Sequence, residues 1–257
     1  MMSQLGGSAV VKVNAHLHTP YSFSAFADVN DALDRAVAED VKVVGINDFY
    51  TTEGYQEWAD GCNKRQLYPL FGIEFISLNE EDQKAGLRVN DPANPGRTYL
   101  SGKGLSYPFR LEEPYATMLS NVRDEANRQV EAMCNKLNGL LRRKECGFKL
   151  DFKRITDELT KGQIRERHLA KALRINVYEV CDNDESKIRA LLEMLFDGKM
   201  LKSAVDNLAG VENEIRGNLL KAGGAAFVPE EPTAFLPMET VQEIIIAMGF
   251  DAQPGQR

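Results

Sequence analysis

In Val10-Val11-Lys12-Val13-Asn14-Ala15-His16-Leu17-His18-Thr19-Pro20 a β-branched run ends in two of the chain's only three histidines. Such a run reads as a buried strand. Residues i and i+2 of a strand leave the same face, so His16 and His18 can present two imidazoles side by side where the strand stops. Neutral imidazole is a common ligand of divalent transition ions, and a pair of this kind can grip one ion.

Working outward, the first third of the chain alternates strand and helix. Asp28-Val29-Asn30-Asp31 supplies N-cap chemistry to a helix with Ala32, Leu33, Ala36 and Val37 on its apolar stripe. A second buried strand covers Val41 to Ile46 and ends at Asn47-Asp48-Phe49, after which Thr51 or Thr52 can cap a helix running towards Gln66, with Tyr55, Trp58 and Ala59 inward. A third strand, Leu67 to Phe75, carries Glu74 near its end. Strand, helix, strand, helix, strand with short connections is the pattern of parallel βαβ units, which bring all three strand ends to one sheet edge. Active sites of open α/β sheets and barrels lie at that edge.

His16, His18, Asp48 and Glu74 are therefore the candidate ligands of one ion. Each has an ordinary alternative: a chance His-x-His pair, a turn or capping aspartate, a surface glutamate. Their occurrence at three successive strand ends favours the joint site. Asp48 is expected either as a ligand or as a hydrogen-bonding residue that orients a ligand or the attacking water.

Asn14-Ala15-His16-Leu17-His18-Thr19-Pro20-Tyr21-Ser22 resembles the first motif of the polymerase and histidinol phosphatase superfamily, the PHP domains. Gly45-Ile46-Asn47-Asp48-Phe49 stands in the place of the second motif, usually Thr-Asp-His, and Phe71-Gly72-Ile73-Glu74-Phe75 in that of the metal-bridging glutamate. The resemblance implies a distorted (β/α)7 barrel that binds zinc, manganese or iron and includes phosphoesterases among its members. It also marks departures. Phe49 replaces a histidine ligand, Tyr99 stands where another is common, and the later Ala-His-Pro-like and Asp-x-His motifs have no counterpart. At most one ion then has a recognisable shell.

Composition bounds the rest. The 257 residues, 43% hydrophobic and 27% charged, suffice for one large or two small globular domains. There is no apolar run of about 18 residues to span a membrane, and the N-terminal residues lack a signal-peptide pattern. Cys62, Cys134, Cys146 and Cys181 are widely spaced without a Cys-x-x-Cys pair, which argues against a thiolate zinc site or disulfide framework and fits a reducing, cytoplasmic setting. A net charge of −7 disfavours broad non-specific nucleic-acid binding.

Residues 79–97 are rich in turn formers and read as a long surface loop, with residues 98–105 returning as a fourth strand. From Tyr115 an apolar residue recurs every three or four positions to Leu141, predicting one amphipathic helix of about eight turns ending near Arg143. Shorter helices follow: one capped by Asp184 and ending before Gly198, one from about Val205 to Lys221, and a last one starting at Pro237. The expected organisation is an α/β part over residues 1–110, the βαβαβ start of a truncated PHP-type barrel, and a largely helical region over residues 111–257. A sheet stopped short of closure has an open edge, to be covered by the helical part, a partner or self-association.

Within the helical region, Lys161 to Arg174 is the densest basic stretch. If helical, Arg167, Lys171 and Arg174 share a face, with His168 beside Arg165 and Lys171. The stretch resembles an Arg-x-His-(Phe/Leu)-Ala segment of PHP proteins. Arg165, Arg167, His168 and Lys171 are candidate substrate-phosphate ligands, for which a solvated helix face is the alternative. Two functions follow. One is a metal-dependent phosphoesterase using water held on the ion against a phosphorylated small molecule or nucleic-acid end. The other is a catalytically degenerate PHP module acting in binding or assembly.

Overall fold

The structure is a computed structural model that describes residues 10–24, 26–92, 94–108 and 111–249. In chain order its elements are β1 (Lys12–Leu17), α1 (Val29–Ala38), β2 (Val41–Phe49), α2 (Tyr55–Lys64), β3 (Tyr68–Leu78), α3 (Glu80–Ala85), β4 (Arg97–Lys103) and α4 (Tyr115–Arg143), then α5 (Phe152–Leu159), α6 (Glu166–Val180), α7 (Glu185–Leu195), α8 (Leu208–Ile215), β5 (Leu236–Pro237) and α9 (Met238–Gly249). The chain divides into two compact units, Met1–Ser120 with Phe235–Arg257, and Asn121–Ala234.

The first unit is the expected α/β part. Its sheet is ordered β1-β2-β3-β4, with β1, β2 and β3 parallel and β4 antiparallel to β3. It curls as a partial barrel of PHP type. β2 pairs with β3 only as far as Phe49↔Glu74, and β5 pairs with β3 further along, at Ser77 and Leu78. The segment expected as part of the helical region thus returns to the sheet: Pro237 is the last residue of β5, and α9 buries Val241, Ile244 and Met248.

The helices start and stop where local chemistry allows. Asp28 caps α1 by accepting from the Asp31 N–H, as its sequence predicts. α2 begins later than Thr51 or Thr52, with Gly54 at its cap and no side-chain cap bond. The reason is that β2 runs on past Ile46 to Phe49, and the Tyr50 N–H still bonds to the Glu74 carbonyl. The expected loop after β3 contains α3, capped by Asn79 and ended by Gly86 in the left-handed conformation. Asn followed by three acidic residues and then Gly is a legible helix signal in retrospect.

β1 departs from its sequence reading. Val10, Val11 and Val13 are 95%, 42% and 56% exposed, so the strand expected to be buried is an edge strand that pairs only with β2 among the described residues. A β-branched run does not distinguish an edge from a centre, because the burial comes from neighbours. The sequence predicts an open sheet edge, to be covered by the helical part, a partner or self-association, without assigning it to a strand.

The second unit is helical. α4 has 29 residues, and its Val130, Met133, Leu137 and Leu141 join a core with Leu169, Leu173 and Val177 of α6 and Ile188, Leu192 and Leu195 of α7. Asp184 caps α7 by accepting from Lys187 N–H, and Gly198 adopts a positive φ after it. The helix expected from Val205 starts at Leu208, because Asn207 caps it, and α8 passes into a π-turn at Arg216–Leu220.

Candidate metal centre

The sequence brings His16 to the site through an irregularity. Between Asn14↔Val44 and Leu17↔Ile46, β1 spends three steps where β2 spends two, a bulge that re-aims the side chain. The His16 N–H bonds to the Asn14 side-chain oxygen. Opposite the bulge, a Cβ on Gly45 would stand 2.7 Å from the Ala15 carbonyl oxygen, so only glycine lets the two backbones approach this closely.

Three atoms converge there: Nε2 of His16, Nε2 of His18 and Oε2 of Glu74. They are 3.3 Å apart between the imidazoles, 3.0 Å from His16 to Glu74 and 3.2 Å from His18 to Glu74. An ion bound at about 2.0–2.1 Å in a tetrahedral shell separates its ligand atoms by roughly 3.3 Å. The triangle therefore has the size of one face of such a shell, and the donor set of two imidazoles and a carboxylate suits a divalent transition ion. Glu74 is buried, His18 half-buried, and the His16 side chain 43% exposed, so the triangle has a solvent-facing side.

The His18 ring packs against both Phe23 and Phe49, at centroid distances of 4.9 and 5.1 Å and interplanar angles of 20° and 6°, in a three-ring cluster whose two phenyl rings are 5.4 Å from each other. Its Nδ1 is buried without a hydrogen-bond partner, so the ring is oriented by stacking rather than by the usual outer bond to a ligand histidine. Phe49, in the place of a family histidine, cannot donate to an ion and instead forms this wall. Tyr99 stands edge-on to Phe49 at 6.1 Å.

Asp48 is not in the donor group. One of its oxygens accepts from the Thr19 N–H at 2.7 Å and the Ser22 hydroxyl at 2.5 Å, and the other from the Thr19 hydroxyl at 2.5 Å. Burial raises its pKa, against the opposing effect of those hydrogen bonds from Ser22 and Thr19. A carboxylate so occupied ties β2 to the turn after His18. These three bonds are of the kind expected of Asp48 as a hydrogen-bonding residue, and its carboxylate lies outside the group formed by His16, His18 and Glu74. Thr19 and Ser22 carried no role in the sequence reading, though both lie within the resembling motif.

Asn47 was also not singled out. It is fully buried, and its Nδ2 lies 3.1 Å from His16 Nε2, 3.4 Å from Glu74 Oε2 and 3.2 Å from Ser101 Oγ.

Arg165, Arg167, His168 and Lys171 lie in the second unit. His168 Nδ1 accepts the Arg165 N–H at 2.9 Å at the start of α6. Burial, with Arg167 beside it, pushes the imidazole down to about 4, so the ring is neutral. Burial also lowers the Arg167 pKa. Glu166 pairs with Arg216 and Lys221, and Arg174 with Glu212. Burial disfavours ionisation of Glu166, but the Lys221 and Arg216 cations outweigh it and hold the carboxyl at about 2. Lys171 is exposed. These contacts support the helical unit itself.

No helix among the described residues is long and apolar enough to cross a membrane.

A search of curated protein sequences finds no match. Among solved structures, the chain is similar to a provisionally named metal-dependent phosphoesterase from Bifidobacterium adolescentis, with 16% identity, a TM-score of 0.56, and coverage of 94% of this chain and 65% of that one. It is similar also to an amidohydrolase from Chromobacterium violaceum with bound sulfate and no metal, with 16% identity, a TM-score of 0.55, and coverage of 93% and 64%. The chain thus spans just under two thirds of the length of either structure, and at this identity the likeness is one of fold. The PHP domain family model matches residues 14–159, more than half of the 257, and extends past the boundary expected at residue 110. With the motif order, the curled sheet and the family model in agreement, this chain belongs to the PHP domain family.

Proposed function

We propose that the first unit is a single-ion, metal-dependent phosphoesterase. The observation that carries this reading is the triangle of His16, His18 and Glu74, whose edges of 3.0–3.3 Å match one face of a four-coordinate shell. Zinc, manganese and iron(II) all suit two imidazoles and a carboxylate. When bound, such an ion supplies Lewis acidity towards a water and a phosphoryl oxygen. His16, on the exposed side, leaves room for a substrate to approach. His18 is held in orientation by Phe23 and Phe49, and Asp48 positions the turn that follows it through Thr19 and Ser22. Asp48 is thus a positioning residue in this reading. Arg165, Arg167 and Lys171 stay candidates for holding substrate phosphate on charge, and the neutral His168 only as a hydrogen-bonding group, beside their structural contacts in the second unit. The substrate class is a phosphorylated small molecule or a nucleic-acid end.

The wall formed by Phe49 and Tyr99 favours a second reading, a PHP module that binds or assembles without turnover. Elemental analysis of purified protein, with a p-nitrophenyl phosphate assay in added manganese, separates the two. Bound metal and metal-stimulated turnover lost in His16→Ala are expected. Metal bound without turnover selects the second reading, and absence of both metal and turnover overturns the metal-centre reading.

A further inference from the structure

We propose that the side-chain oxygen of Asn47 is a fourth protein donor to the ion, brought into place by a half-turn of its carboxamide. This rests on the metal-centre reading above, and it concerns the fourth corner that His16, His18 and Glu74 leave open.

The geometry places Asn47 beside a vertex. The amide atom facing the site is 3.1 Å from His16 Nε2 and 3.4 Å from Glu74 Oε2. The three donors stand 3.0–3.3 Å from one another. Asn47 therefore stands beside the His16–Glu74 edge of the triangle at nearly the spacing of its donors, next to the open corner.

The chemistry as oriented without an ion is different. Nδ2 faces the site and can donate to the lone pairs of His16 and Glu74, while Oδ1 is buried with no hydrogen-bond partner. A fully buried acceptor without a partner is unfavourable, having lost its water and gained no donor. The space beside Gly72 is bordered by Oδ1 and by two backbone carbonyl oxygens. A Cβ built on Gly72 would stand 2.7 Å from Asn47 Oδ1, 2.8 Å from the Gly102 carbonyl oxygen and 3.1 Å from that of Ile46. Gly72 leaves this space open, and an amide N–H2 suits it better than an oxygen does.

An ion inverts the preference at the other end. Once the lone pairs of His16 and Glu74 point at a cation, they no longer accept from Nδ2, and amide hydrogens would face positive charge. A half-turn about the last side-chain bond exchanges the ends, giving the carbonyl oxygen to the ion and turning the N–H2 toward the space beside Gly72 that the Gly102 and Ile46 carbonyls also border. Ser101 Oγ, 3.2 Å from the amide, serves either orientation, because a hydroxyl both donates and accepts. Asn47 would then complete an N2O2 set of protein donors in a chain whose Phe49 cannot contribute, and water or substrate would enter from the exposed His16 side as a fifth ligand.

The test is titration of full-length wild type, Asn47→Ala, Asn47→Asp and Ser101→Ala with Zn2+ and Co2+, read by calorimetry and by the Co2+ ligand-field bands. Asn47→Ala is expected to weaken binding at least tenfold and to shift the bands. Asn47→Asp, of the same shape with an added charge, is expected to bind at least tenfold more tightly, and Ser101→Ala within about threefold of wild type. Asn47→Asp also decides the matter should Asn47→Ala fail to fold by circular dichroism. Wild-type affinity and bands in both Asn47 variants would overturn the assignment of Asn47 while leaving the three-donor centre intact. No binding by wild type would overturn the centre itself, and with it this proposal.

Discussion

Nε2 of His16 lies 3.0 Å from Oε2 of Glu74, although 58 residues separate them in sequence. Two acceptor-rich groups at this distance share a proton or an ion. Parallel pairing of β1, β2 and β3, with the bulge in β1, delivers them there, since it sets consecutive strands side by side in one direction. Glu74→Gln keeps the shape but removes the charge and is expected to lower metal affinity at least 100-fold, with the melting temperature of the metal-free protein changed by only a few degrees. Calorimetric titration and thermal melts check both. Unchanged metal affinity would remove Glu74 from the centre.

Asp48 is expected to matter for stability first and metal second. Asp48→Ala leaves the Thr19 N–H and the Thr19 and Ser22 hydroxyls without their acceptor in a buried place. Each buried orphan costs about 1–3 kcal/mol, so a loss of about 3 kcal/mol is expected in denaturant unfolding. His18 follows Thr19 out of position, and metal affinity falls with it. Metal affinity lost without any loss of stability would instead make Asp48 a direct ligand.

Gly45→Ala tests the bulge. Its new methyl would sit 2.7 Å from a backbone oxygen that cannot swing aside, and β1 must shift to admit it. Weaker metal binding and a loss of about 1–3 kcal/mol are expected. Gly217→Ala meets nothing within 4 Å and serves as the control, with stability unchanged or slightly raised. Wild-type metal affinity in Gly45→Ala would show that the bulge does not aim His16.

The helical unit has its own titration. The folded-state pKa of His168 is depressed to about 4 by burial and by Arg167, below the usual histidine value of about 6.5. A depressed group contributes stability that is full above the unfolded value and is lost as pH falls through the folded one. Unfolding free energy is therefore expected to drop by about 3 kcal/mol between pH 6.5 and 4 on account of His168. His168→Gln keeps an acceptor for the Arg165 N–H at the start of α6 but does not titrate. Its chemical-denaturation midpoint is expected to vary less over that window than that of wild type. Equal slopes would mean that the imidazole is not the group responsible.

Much of the site was legible because its signals are local. The His-x-His spacing, the βαβαβ alternation and Glu74 near the end of the third strand each depend on a few adjacent residues and a known periodicity. Capping aspartates worked for the same reason: Asp28 and Asp184 bond to backbone N–H groups three residues away. Thr51 and Thr52 misled because a cap signal records a local bond and not a helix start: Thr51 Oγ1 accepts from the Glu53 N–H in a turn, and α2 begins only at Tyr55.

Asn47, Thr19 and Ser22 escaped because amides and hydroxyls are common everywhere, and their roles arise only from what stands across the sheet. The exposed edge of β1 escaped for a related reason, since apolar runs record β propensity and not the number of neighbouring strands. The C-terminal segment likewise read as one more amphipathic helix, and nothing local marks Leu236 and Pro237 as partners of Ser77 and Leu78.

By itself, then, the sequence determined the alternation of the first three strands and two helices, the placement of His16, His18 and Glu74 on those strands, and Phe49 in the place of a family histidine, because residue type and spacing are enough for these. Only the tertiary structure decided that three donor atoms lie within 3.3 Å of one another, that Asp48 faces Thr19 and Ser22 instead of them, and that Asn47 stands next to the open corner. Those relations depend on strand register, on the bulge at His16 and on the close approach that Gly45 allows, and each joins residues far apart in the chain.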